Sequence, residues 1–113
     1  MPEPESFLPL KPRIFLMLME LTRKPAHGYA LKEALYEASD GRLDLGPGTL
    51  YRSVKWLLDE GFTTEETGPG GDDGDERRRV YRITPLGRAV AAAEAQRLAK
   101  LVDAARAEKL IGP

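Results

Sequence analysis

The stretch from Leu45 to Gly61 fixes one helix together with both of its ends. Gly46-Pro47 gives the entry: proline lacks only an amide that would go unpaired in a first turn, and its φ is already helical. Gly61 gives the exit, because glycine takes the left-handed C′ conformation at little cost. Leu50, Val54, Leu57 and Leu58 fall at i, i+4, i+7 and i+8, which is one apolar face. Thr49, Arg52, Ser53, Lys55 and Trp56 lie mostly off that face. Hydroxyls, cations and an indole are groups that contact phosphates and base edges. An ordinary solvated helix more often carries glutamate there.

The rest of the chain supplies cover for that helix. Residues 1–8 carry two prolines and two glutamates without periodicity and read as a frayed tail. Leu10 to Thr22 is the first helix, with Pro12 near its first turn. Its centre, Ile14 to Met19, is apolar on every side, which implies burial on more than one face and places one of those faces against another subunit. A second helix runs from Tyr29 to Ala38 and is stopped by Ser39-Asp40-Gly41; His27 and Gly28 shape its start. Arg42 to Leu45 alternates and is expected to form an edge strand. Phe62 to Thr67 and Val80 to Thr84 read as two strands joined by the loop Gly68 to Glu76. Thr84 as N-cap and Pro85 at the first position open a last helix to about Ala107. Within it Ala91, Ala95, Leu98, Val102 and Ala105 repeat at heptad spacing. This order gives a mainly α (α+β) chain: a winged helix-turn-helix with a two- to three-stranded wing and a long C-terminal dimerisation helix. The expected division is a tail over 1–8, the winged-helix domain over 9–84 and the dimerisation helix over 85–109.

Composition excludes several chemistries. A chain of 113 residues, 42% apolar, is one small domain with a thin core, which such chains often complete by pairing with a second copy. With no cysteine and one histidine there is no disulfide framework, no thiolate metal site and no multi-histidine constellation within one chain. No paired carboxylates, activated nucleophile or phosphate-binding glycine loop is present, so neither an enzyme nor a cofactor or metal is expected. The acids at Asp72, Asp73, Asp75 and Glu76 lack the spacing of an EF-hand loop and read as a solvated wing tip. No apolar run approaches the ~20 residues of a membrane span. The first residues carry acids and no basic segment, so no signal peptide is read and a cytoplasmic location is expected. Net charge is −1 and the pI is near 5.9, which argues weakly against nucleic acid. The distribution argues the other way: between Arg42 and Leu58 Asp44 faces three cations, and between Arg77 and Arg88 five arginines have no acid among them.

His27-Gly28-Tyr29, Gly48-Thr49-Leu50-Tyr51, Glu60-Gly61-Phe62 and the run from Arg77 through Thr84-Pro85-Leu86-Gly87 to Arg88 occur in one order. Together they resemble the PadR family of bacterial transcriptional regulators, over about Leu8 to Ala107. The resemblance implies a winged-helix homodimer on pseudo-palindromic promoter DNA, usually a repressor. The third helix, Gly48 to Asp59, would enter the major groove and the wing would reach flanking backbone or minor groove. DNA contacts are then expected from Thr49, Tyr51, Arg52 and Lys55, and from one or two of Arg77, Arg78 and Arg79, in competition with the neighbouring acids. The first and last helices would dimerise through Ile14, Phe15 and Leu18 and through Leu98, Leu101, Val102 and Ala105. Small aromatic or drug-like molecules relieve repression in some members, and Phe15 and Trp56 are the expected contacts for such an effector. Two positions depart from the family pattern: Arg52 stands where proline is frequent, and Trp56 where a basic or polar residue is common. A winged-helix module for protein assembly, without DNA, is the competing reading.

Overall fold

The computed structural model describes residues 2–67 and 79–113. Pro12 starts α1 (Pro12–Arg23), whose Ile14, Met17, Leu18 and Leu21 form a buried stripe. Ile14 and Leu18 are sunk in the protomer's own core, so the expectation that they meet another subunit is corrected. The reason is that α1 is central: α2 (Gly28–Ala38) and α4 (Pro85–Ala107) both pack on it. Met17 and Leu18 meet Leu35 of α2, Leu57 of α3 (Pro47–Asp59), Phe62 and Val90 of α4 in one core cluster. Phe15 is half-buried against the same cluster.

Both α2 and α3 end in the same hydrogen-bonded reversal. The Phe62 amide donates to the Leu57 carbonyl at 2.9 Å and the Gly61 amide to Leu58 at 3.1 Å. Gly61 sits at φ +80°, as its place in the sequence predicts. The turn swings Phe62 into the centre of the core, fully buried. Asp40, at φ 53°, does for α2 what Gly61 does for α3.

The sheet is antiparallel, in the order β1-β3-β2. β2 (Thr63–Thr67) and β3 (Arg79–Ile83) form the hairpin, with Thr63 opposite Ile83 and Thr67 opposite Arg79. The third strand is β1 (Ala26–His27), paired with Tyr81 and Val80. Arg42 to Leu45, expected as an edge strand, is not one. Its Leu43 and Leu45 drop into the core, and the Leu43 amide donates to Ser39 Oγ at 2.7 Å rather than to a neighbouring strand.

Thr84 joins the pieces. Its hydroxyl donates to the Gly61 carbonyl at 2.6 Å and accepts from the Gly87 amide at 3.0 Å, so it caps α4 and clips it to the end of α3. Gly87 must be glycine for α4 to lie this close: a Cβ there would run into the Phe62 carbonyl oxygen. The first half of α4 buries Val90, Ala91 and Glu94; beyond Ala95 no residue of the helix is buried.

The N-terminal segment is ordered onto this body, which corrects the frayed tail expected over 1–8. Pro4–Phe7 form one 3-10 turn, and Phe7 packs edge-on to Phe62 with ring centroids 4.8 Å apart. The Leu10 amide donates to the buried Glu94 carboxylate at 3.3 Å. Two prolines and two acids masked the anchoring power of Phe7, Leu8 and Leu10. Among the described residues, no helix is long and apolar enough to cross a membrane.

Candidate nucleic-acid interface

Helices α2 and α3 form the helix-turn-helix. Val54 and Leu57 of α3 point into the core and Leu50 and Leu58 are half-buried, so the opposite face is left to solvent. Tyr51, Arg52, Lys55 and Trp56 stand exposed on it. No acid occupies the first turn of α3, and Gly46 offers no side chain to cap it. Its first amides therefore add positive potential to that end.

Arg52 lies back along the helix. Its Nη2 donates to Thr49 Oγ1 at 3.3 Å, and its Nη1 rests over Gly48. A guanidinium is thus held above the positive end of α3, a place that favours an anion from outside. Thr49 is half-buried and serves here as the acceptor for Arg52. Lys55 donates to Asp59 at 3.0 Å, one turn on. That bond raises its pKa above the ordinary lysine value, so Lys55 carries its charge throughout the physiological range, half-compensated by Asp59.

On one flank, a groove of about 340 Å³ separates α3 from the wing, and Tyr51, Lys55 and Arg79 all line it. Arg79 faces Glu65 at 3.5 Å and Arg82 donates to Glu66 at 2.9 Å, both diagonal pairs across the hairpin. Arg77, Arg78 and the acids from Asp72 to Glu76 lie outside the described residues. Arg79, expected to pair with those acids, has its described ion pair with Glu65, on the opposite strand.

On the other flank, Trp56 packs edge-on to Phe62 at 5.5 Å and lines a cleft of about 370 Å³ with Phe7, Arg13 and Arg52. Phe15 does not line that cleft, so the structure does not bring the expected effector pair, Phe15 and Trp56, together there. Phe62 instead joins Phe7 and Trp56, whose rings both pack edge-on against it. The side chains that sequence reasoning passed over are Lys11 and Arg13 at the start of α1, and Tyr29, which is 67% exposed beside Tyr51. A signal existed for the first two: cations at the first turn of a helix, with no acid there, oppose its dipole.

Residues 17–93 match the family model described as the transcriptional regulator PadR-like family. The chain belongs to that family. This PadR-like chain is similar in fold to a PadR family transcription regulator from Clostridium difficile, with a TM-score of 0.69 and 20% identity over 83% of this chain and 94% of that one. A transcriptional regulator from Clostridium thermocellum superposes with a TM-score of 0.68 at 20% identity, covering 83% and 86% of the two chains. An uncharacterised 37.1 kDa protein in a transposon of Streptomyces fradiae is 35% identical over 88 residues, 76% of this chain. The PadR-like chain spans 23% of that protein's length. The family is one of DNA-binding transcription regulators, not of enzymes, and the four helices with a three-stranded sheet are its winged helix-turn-helix.

Proposed function

We propose that this PadR-like regulator is a homodimeric repressor that reads pseudo-palindromic promoter DNA through α3. The observation that carries the reading is the exposed face of α3, where Arg52 is held over a helix end without acids. Arg52 supplies bidentate base contact, Lys55 and the positive helix end supply phosphate contact, and Tyr51 and Arg79 face the duplex from the wing-side groove.

Dimerisation is supported by the far half of α4. Leu101 is 54% exposed and Val102 40% exposed; Leu98 and Ala105 are half-buried on the same stretch. A helix of 23 residues, about 34 Å long, that buries only its first half needs a second helix on the remainder. Two copies joined there would place their α3 helices on half-sites about one turn of DNA apart, roughly 34–36 Å. The cytoplasm is where such a regulator meets its promoter. A small aromatic effector has narrower support, since of Phe15 and Trp56 only Trp56 lines the cleft on α3. The family match favours DNA over a protein-assembly role for this winged helix.

Fluorescence-anisotropy titration against the gene's own upstream DNA, with scrambled duplex and varied salt, tests the DNA reading. Tight sequence-selective binding with a steep salt slope is expected, and equal weak binding to both duplexes would sink it. Loss of the gene should raise transcription from the bound promoter; a fall would mean an activator.

A further inference from the structure

We infer that Lys11 and Arg13, at the start of α1, form with Arg52 a second DNA-backbone contact on the flank of α3 away from the wing. The inference rests on the DNA-binding reading and extends its footprint. Arg13 Nε donates to Ser53 Oγ at 2.9 Å, across 40 residues of sequence, and Ser53 is buried in α3. That bond fixes the guanidinium plane and leaves both Nη groups for another partner. Lys11 and Arg52 line the same cleft, and no acid does. Among the described residues, no carboxylate pairs with any of the three cations.

Elsewhere on the described surface Lys32, Lys55, Arg79, Arg82, Arg97 and Arg106 all face an acid. Among the described residues Lys24, Arg42, Arg88, Lys100 and Lys109 also have no ion pair, so what marks this surface is that three such cations, Lys11, Arg13 and Arg52, line one cleft. Two of them also stand at the positive end of α1, where they are unfavourable in the free protein. An external anion removes that penalty. The cleft adjoins Arg52 on α3, so the anion that comes with the regulator's own ligand is the phosphate backbone next to the groove α3 enters. Trp56 and Phe7 form the apolar wall of the cleft and shed water from the contact.

The test uses the full chain with promoter and scrambled duplexes. Lys11→Gln and Arg13→Gln are each expected to lower the log–log salt slope by about 0.9, the value for one phosphate, and to weaken both duplexes equally. Arg13→Lys, which keeps the charge, should restore the slope. Trp56 is the chain's single tryptophan, so it reports on the cleft directly. Duplex should shield it from acrylamide quenching in the wild type and lose that shielding in the Lys11→Gln/Arg13→Gln double variant. A slope unchanged in Lys11→Gln, an exposed side chain whose loss leaves the core intact, together with shielding unchanged in the double variant, would overturn the inference while leaving wild-type binding in place. A wild type without salt-dependent duplex binding would overturn the DNA reading and this inference together.

Discussion

Glu94 is almost fully buried, yet it is charged. Arg97 donates to it from Nε and Nη2 at 2.6 and 2.9 Å, and the Leu10 amide donates at 3.3 Å. Arg97 is the main cause that holds its carboxyl below the usual value of 4.5. A carboxyl with a lowered folded pKa stabilises fully above the unfolded value and loses that contribution as pH falls through the folded one. Urea unfolding should therefore show stability dropping below about pH 4.5, and Glu94→Gln should flatten that limb. Glu94→Ala should lose about 2–3 kcal/mol, the size of a set of charge-assisted hydrogen bonds. Gly87→Ala should lose about 1–3 kcal/mol by overpacking, because its methyl meets backbone, which does not yield as a side chain would. The sequence made Thr84 and Pro85 legible as a helix start, since capping is local. It left Glu94 and Arg13 unread: the Glu94 contact to Leu10 spans 84 residues, and no local spacing announces such a contact.

Helix ends were the most readable elements, and the reason is chemical. Pro12, Pro47 and Pro85 each stand at the first position of a helix, and Gly61 takes the left-handed turn after α3. Strands were harder. β1 is two residues long, too short for any alternation, and exists because Tyr81 and Val80 of β3 offer it partners. Leu43 and Leu45 alternate with polar residues as a strand would, yet both serve the core from a loop. At α3 the ion pair from Lys55 to Asp59 puts a carboxylate on the face proposed to meet DNA. Asp59→Asn should release Lys55 and tighten binding to every duplex alike, with a steeper salt slope; anisotropy on scrambled DNA reads this directly. At the end of α4, Lys109 sits at φ 62°, where glycine is at ease. Lys109→Gly is expected to stabilise the helix end by about 0.5–1 kcal/mol, measurable as a raised urea midpoint.

The whole molecule measures 54 × 35 × 22 Å, drawn out beyond what a chain of this size needs to enclose its core. The heptad spacing in α4 was visible in sequence, but it did not tell which part of the seam the protomer keeps for itself. Ala91 is buried inside, whereas Val102 is exposed. Leu101→Glu with Val102→Glu should convert the proposed dimer to monomer in sedimentation, weaken promoter binding far more than scrambled binding, and leave the circular dichroism of the winged-helix domain intact. The joint at Thr84 bears on how two such copies would meet an operator. One hydroxyl ties the carbonyl at the end of α3 to the amide at the start of α4, and Gly87 lets the two pieces touch without a gap. Reader and stalk are thereby one casting, with no slack at the shoulder. If two copies pair along α4 as proposed, tolerance for operators of different length would have to come from rocking where the two stalks cross, and a change of a few degrees there would reset the span between the two readers as a pair of calipers is reset at its pivot.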